Sequence, residues 1–326
     1  MNRVNYQQPD LSLLRQRARL LHDVRAYFDD RGFYEVQPPC LASDCIVDPY
    51  IDPITIDTTQ LLMPSRDLSS PFYLQTSPEL SMKRMLAAGA PSIYSVGPVF
   101  RAGERGDMHN IEFTMLEWYD VGADIESGIQ TLGGLVCETL KQPHFECITY
   151  RDLFETFLGF DPISVPSSTL VTEASRIDGL LAERMSEDRD SLLDLLFSSV
   201  IQPSLGLEAP VIIKNYPLSQ AALARSCQDD PECAARFELF FEGVELANGY
   251  DELLDADVLL ERSRIANQRR AMSGRPLIEI DSSLVSALRQ GMPASTGVAM
   301  GFDRLLMVAT KSVNIHQVIP FPIERA

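Results

Sequence analysis

The chain is short of positive charge. Its 28 lysines and arginines stand against 46 aspartates and glutamates, a formal net charge of −18 at pH 7 and a sequence pI of about 4.6. Gripping a phosphate backbone takes many basic side chains on one face. Composition does not supply such a face, although a local patch can survive in an acidic protein. Metal-binding cysteine pairs are also missing. Cys40, Cys45, Cys137, Cys147, Cys227 and Cys233 include no CxxC, and only four histidines stand beside them, so no structural zinc site is expected. A chain of 326 residues, 45% of them hydrophobic, can bury a core without disulfide staples; reduced, mostly buried thiols are expected.

Long apolar stretches are absent. The opening MNRVNYQQPD has no apolar segment of the kind a secretory signal carries. The longest apolar-rich run, residues 192–201, is interrupted by Asp194, Ser198 and Ser199 and falls short of the about 20 residues of a membrane span. A cytoplasmic protein is expected. Internal repeats, low-complexity segments and convincing linkers are lacking too.

What is present is a pattern of strand pairs separated by helices. Leu13, Leu14, Leu20, Leu21, Val24, Tyr27 and Phe28 recur at helical spacing, with Gly32 as a stop. Residues 33–37 predict a strand cut off by Pro38 and Pro39, and residues 42–70 a loop-rich stretch with short strands. A strand over 72–76 leads into Ser77-Pro78-Glu79, read as N-cap, first helical residue and first-turn acid, and Gly89 ends that helix. Residues 92–100 and 111–119 predict strands joined by a polar loop. Residues 150–210 are amphipathic and helical. Strands return at 211–215 and 236–248, a charged helix covers 255–272, and a strand–helix unit closes the chain at 297–310. Few βαβ alternations argue for an α+β fold with an antiparallel sheet, as one domain over 1–326 with a helical insertion at about 150–210.

Side chains alternate along a strand, so Phe113, Met115, Glu117 and Tyr119 share one face. An aromatic plate, a carboxylate and a phenol in a row suit a ligand with a flat ring at one end and a cation at the other; the same row also suits a satisfied core polar pair. In residues 237–249, Glu242-Gly243 reads as a two-residue hairpin turn. Phe240 then lies opposite Glu245, with Glu238 diagonal to Glu245 on the same face, roughly 7–8 Å away. Two such acids repel unless a cation joins them, and Mg²⁺ with ATP phosphates suits the pair; two solvated acids on an edge hairpin fit the pattern equally. Glycines before Arg304, Gly297 and Gly301, let a ligand approach the backbone at a strand-to-helix junction, and a surface arginine on a helix start gives the same sequence. The loop at 101–110, Arg-Ala-Gly-Glu-Arg-Gly-Asp-Met-His-Asn, can close over a nucleotide or form a solvated hairpin tip.

In this order the pieces resemble the three motifs of class II aminoacyl-tRNA synthetases. Residues 32–39 resemble motif 1, with Pro39 at the dimer-interface proline. Residues 100–113 resemble motif 2, and residues 297–304 motif 3. Thr76-Ser77-Pro78-Glu79 and Glu245-Leu246-Ala247-Asn248-Gly249 are typical of the lysyl branch. The match runs from about Leu11 to Pro322, and ordered motifs over most of a chain are far more specific than one alone. The first helix begins near residue 11, leaving no room for the anticodon-reading domain of lysyl-tRNA synthetases. Ala247 and Ala299 stand where those synthetases usually carry glycine, putting methyls on the expected pocket wall. The resemblance is therefore strongest to the short paralogues of that branch that act on elongation factor P.

That resemblance implies an ATP-dependent, cytoplasmic, homodimeric ligase. It would activate (R)-β-lysine or lysine as the adenylate and pass it to a lysine of elongation factor P, with Mg²⁺ as cofactor and no stable tRNA binding. A truncated synthetase charging tRNA, a ligase for a small amine and a non-catalytic binder are the rival readings. By resemblance, Arg101 bridges the substrate carboxylate and the ATP α-phosphate, and Arg304 binds the far phosphates. Ala102, Gly103, Glu104, His109, Asn110, Glu245, Leu246 and Gly301 hold ATP, with Phe113 stacked on adenine. Glu238 and Glu245 carry Mg²⁺. Ser77 and Pro78 line the substrate pocket, Glu117, Tyr119 and Glu252 surround the side-chain ammonium, and Glu79 takes the other amine. The chain departs from the pattern at Gly103, where the family has an acid, at Asp107-Met108, where a basic residue is common, and at Ile111, where proline is usual. These changes shift the expected phosphate grip of the loop toward Arg105.

Overall fold

The computed structural model describes residues 10–61 and 71–326. Helix α1 (Leu11–Asp29) is capped by the Asp10 carboxylate, which accepts from the Ser12 amide, and buries Leu20, Val24, Tyr27 and Phe28. Gly32, at φ +77°, turns the chain out of it into β1 (Tyr34–Glu35), a shorter strand than residues 33–37 predict. Strands β2 (Leu41–Ala42), β3 (Ile54–Ile56) and β4 (Phe72–Leu74) form a small antiparallel sheet. It covers part of the stretch expected to be loop-rich; the remainder of that stretch, residues 62–70, lies outside the described residues.

The main sheet has eight strands among the described residues, in the order β1-β5-β6-β11-β10-β9-β8-β7. These include β5 (Ile93–Phe100), β6 (Glu112–Val121), β7 (Glu146–Thr149), β8 (Val211–Pro217), β9 (Cys233–Phe241), β10 (Val244–Asp251) and β11 (Ser295–Gly301). The inner pairs are antiparallel, as the hairpin pattern predicts. The outermost pairs, β1 with β5 and β7 with β8, are parallel. The β9–β10 turn falls at Glu242 and Gly243, with φ of 53° and 73°, the two positive values of a tight hairpin that twists with its strands.

One face of the sheet is covered by α1, α3 (Ile125–Leu140) and α10 (Phe302–Thr310) around a core containing Phe28, Trp118, Leu132, Phe237, Met300 and Leu305. Helices α4 (Tyr150–Leu158), α5 (Ser167–Ser175), α6 (Gly179–Arg184) and α7 (Arg189–Leu196) build a second core, which reaches the sheet through Val211, Ile213, Tyr216 and Phe240. Helices α2 (Glu79–Ala87), α8 (Ala256–Met272) and α9 (Ser283–Gln290) contribute to a third, which includes Leu80, Leu259, Leu284 and Tyr119. Pro78, not Ser77, takes the N-cap of α2, yet the Ser77 hydroxyl still accepts from the Glu79 amide at 3.0 Å. No helix among the described residues is long and apolar enough to cross a membrane. All six thiols are free, but only Cys45 and Cys233 are buried, and Cys147 is exposed, so the expectation of mostly buried thiols fails.

Candidate active site

The sheet face away from α1 and α3 opens into a cleft of about 730 Å³. Strand β6 supplies its floor. Phe113, Met115, Glu117 and Tyr119 all line the cleft, while Leu116 and Trp118 point into the opposite core, as strand alternation predicts.

At one end the cleft becomes a cation pocket. Glu117 is 1% exposed and accepts from the Ser77 hydroxyl at 2.6 Å and from the Tyr119 hydroxyl at 2.7 Å. Burial, helped by the charge of Glu79, pushes its carboxyl up to about 7. Glu252 is equally buried, and burial pushes it up to about 8 against the pull of Lys83. Glu79, on the first turn of α2, completes a group of three acids. Burying carboxylates without a matching cation favours their neutral forms, so this arrangement is built to receive positive charge. Gly297 makes room for it: a Cβ there would sit 2.0 Å from Glu252 Oε1 and 2.5 Å from a Tyr119 ring carbon. Asn248 lines the same cleft; its amide nitrogen donates to the Tyr250 hydroxyl at 2.9 Å, and its Oδ1 has no hydrogen-bond partner.

Guanidinium groups gather toward the other end. Arg101, just past β5, lies with its guanidinium carbon 5.2 Å from the centre of the Phe113 ring, donates to the Thr76 carbonyl at 3.3 Å, and is 3.6 Å from Glu104. Arg304, on the first turn of α10, donates to the Glu245 carbonyl at 3.1 Å and meets His109 Nε2 at 2.9 Å. Burial and the charge of Arg304 lower the His109 pKa, which keeps that imidazole neutral. Gly103 turns the loop at φ +79°, and the Ala102 amide donates to the Asp52 carbonyl at 2.8 Å. Asn110 is occupied with backbone, donating to the Glu112 carbonyl at 2.5 Å and accepting from the Ile323 amide at 3.2 Å. Arg105 pairs with Glu324 at 2.5 Å, and Asp107 accepts from Asn314 at 2.7 Å. The loop is thus tied to the C-terminal segment through Arg105 and through Asp107, one of the positions where it departs from the family pattern, and the Arg105 side chain is engaged away from Arg101 and Arg304.

Phe240 pairs with Glu245, as the hairpin predicts. A register shift between Glu245 and Ala247 then sets Glu238 opposite Asn248, so Glu238 and Glu245 remain diagonal neighbours on one face. Partial withdrawal from water and the charge of Glu238 raise the pKa of Glu245, whose side chain is half-buried. Glu238 accepts from the Tyr216 hydroxyl at 2.7 Å and pairs with Arg236. No cluster of three or more protein metal ligands exists among the described residues. The donor set fits a hard divalent ion that takes one or two carboxylates and completes its shell with phosphate oxygens and water. Leu246 and Ala247 are both 2% exposed and belong to the core. Ala299, opposite Asn248, lines the cleft; of the two alanines expected on the pocket wall, only Ala299 is there.

A family model for tRNA synthetases class II (D, K and N) matches residues 6–325. The chain belongs to this family. Among curated relatives, the elongation factor P–(R)-beta-lysine ligase of Haemophilus influenzae (strain PittGG) is 39% identical over 328 residues, covering 100% of both chains. The enzyme of the same name from Pasteurella multocida (strain Pm70) is 40% identical over 321 residues, 98% of each. That of Hamiltonella defensa is 38% identical over 316 residues, 97% of this chain and 96% of its own.

In this class II framework the stretches resembling motifs 1, 2 and 3 fall at β1, the β5–β6 hairpin and the β11–α10 junction. Sequence reasoning passed over Lys83 and Arg236, gave Asn248 no role of its own, and read Gly297 as room for a ligand where the atoms it clears belong to Glu252 and Tyr119. Two of these carried a signal: Lys83 follows Glu79 by four residues on a helix, and Arg236 precedes Glu238 by two on a strand, both spacings that bring charges together.

Proposed function

We propose that the chain is an ATP-dependent ligase that activates (R)-β-lysine or lysine and transfers it to a lysine side chain of elongation factor P. The single observation that carries this reading is the convergence of Glu79, Glu117 and Glu252 on a buried pocket in the same cleft as Arg101, His109 and Arg304. Family membership supports ATP use, and the relatives' name supplies the β-amino acid and the protein acceptor.

In the first half-reaction an oxygen of the substrate carboxylate attacks the α-phosphorus of ATP. The bond from that phosphorus to its leaving oxygen breaks, and pyrophosphate departs. No covalent protein nucleophile is required; the work is positioning and stabilisation of phosphate charge. Arg101 bridges carboxylate and α-phosphate, Arg304 takes the outer phosphates, His109 and Glu104 hold the nucleotide, and Phe113 stacks on adenine. Glu238 and Glu245 would hold Mg²⁺, which neutralises phosphate charge when bound. In the second half-reaction the acceptor amine attacks the adenylate carbonyl carbon, its bond to AMP breaks, an amide forms, and the surplus protons pass to solvent. We also read residues 1–326 as one catalytic domain in a cytoplasmic homodimer. The edge position of β1 and the 64% exposure of Tyr34 support a subunit contact beside Pro39.

Amino-acid-dependent ATP–pyrophosphate exchange tests the activation step. Lysine or (R)-β-lysine is expected to support exchange. Norleucine, which lacks the side-chain ammonium, is expected to be slower by about 10⁴-fold, as for sites built to bind a polar group the analogue lacks. Equal exchange with norleucine would remove the cation pocket from the reaction.

A further inference from the structure

Behind the acids of the pocket wall stands a group that this chemistry leaves unused, Lys83. It lies on α2 four residues after Glu79, and its side chain is 2% exposed. Its ammonium pairs with Glu79, stands 2.5 Å from Glu252 and lies 5.8 Å from the Tyr119 ring centre. An ammonium removed from water is costly unless matched. Burial here pulls its pKa down, but Glu252 and Glu79 more than offset that and hold it charged. Around it stand Glu79 from α2, Glu117 and Tyr119 from β6, Glu252 just after β10, and the Tyr250 phenol, which feels Glu79 and Glu252.

The charge count of this group is informative. Once ionised, the three carboxylates bring three negative charges and Lys83 returns one, leaving a deficit of two positive charges for the ligand to supply. A diamino acid brings two ammonium groups, while its own carboxylate goes to Arg101. With the lysine removed, three acids would crowd one low-dielectric pocket and hold extra protons at neutral pH, and a diammonium ligand would have to displace them.

We propose that Lys83 is a positioning and specificity-determining residue, a resident cation in contact with Glu79 and Glu252 that offsets one of the pocket's three carboxylates and so matches the pocket's charge, once a ligand has drawn off its protons, to a substrate with two ammonium groups. The inference rests on the reading of this pocket as a diamino-acid site. A monoamino acid leaves one negative charge unmatched, so selectivity for diamines follows from the count as well as from shape.

ATP–pyrophosphate exchange with lysine and (R)-β-lysine, measured from pH 6.5 to 9 for the wild type, Lys83→Met and Lys83→Arg, tests this. For Lys83→Met, the KM for the diamino acid is expected to rise about tenfold or more at pH 7, the effect of a one-unit pKa shift, and to recover toward pH 9. The KM for ATP and kcat at saturating amino acid should stay near wild type. Lys83→Arg, which keeps the charge, should retain the wild-type pH dependence whatever its absolute rate. An unchanged KM and pH profile in Lys83→Met would overturn the proposal, as would a Lys83→Arg profile displaced to higher pH. If Lys83→Met does not fold, the Lys83→Arg profile decides alone. Absence of diamine-dependent exchange in the wild type would instead overturn the functional reading.

Discussion

At the scale of single residues the pocket is governed by carboxylates held out of water. Glu117 and Glu252, at about 7 and about 8, lie above the ordinary carboxylate range because burial favours the neutral acid. Their folded pKa values exceed the unfolded ones. Their contribution to the stability of the free protein is therefore full below about pH 4.5 and is lost as pH rises through 7 to 8. A diammonium ligand needs both ionised, so its affinity should climb over the same interval. Thermal unfolding with and without lysine is expected to show a small ligand shift at pH 6 and a larger one at pH 8.5; a larger shift at pH 6 would contradict these assignments. Gly297→Ala puts a methyl where Glu252 and Tyr119 already stand. It should raise the KM for lysine by about ten- to a hundredfold, the value of one hydrogen bond to a charged group, and leave the KM for ATP unchanged; exchange kinetics read both. The shared face of Phe113, Glu117 and Tyr119 was legible in the sequence because strand alternation is a local rule. The need for glycine at 297 was not, since the atoms it avoids belong to residues far away in the chain.

At the scale of elements, the phosphate side depends on how α10 and β6 are clamped. Asp303, 1% exposed, accepts from the Thr114 amide at 2.6 Å and pairs with Arg17 of α1 at 2.5 Å, while Arg17 also donates to the Thr114 hydroxyl at 2.6 Å. Arg17→Ala would strand a buried carboxylate one residue before Arg304. It is expected to cost about 3 kcal/mol, read as a lower midpoint of urea unfolding with an unchanged slope. An unchanged midpoint would mean that Asp303 finds solvent or another partner. Most helices and strands followed from periodicity and caps, and the Glu242-Gly243 turn from its dipeptide. Helix α3 did not. Gly128, Gly133 and Gly134 break its helical signal, and the reason for two of them is tertiary: a Cβ at 133 would lie 2.3 Å from the Phe145 ring and one at 134 would lie 2.7 Å from the Tyr27 hydroxyl.

At the scale of the whole molecule, the ordered motifs disclosed the family, and the order of the strands explains why those motifs meet. β6 and β10 flank β11, which sets the carboxylates of β6 and β10 beside the glycines of β11. The parallel pairing at both edges of the sheet was not legible, because edge partners are chosen by long connections and not by local pattern. The net charge of −18 is consistent with an acceptor other than a nucleic acid, since a phosphate backbone calls for clustered basic groups. The most direct measurement is the intact mass of elongation factor P, with lysine tRNA assayed in parallel, after incubation with the protein, ATP, Mg²⁺ and either (R)-β-lysine or lysine. The account predicts a gain of one lysyl unit on the factor, greater with (R)-β-lysine, and uncharged tRNA. Charged tRNA beside an unmodified factor would contradict it.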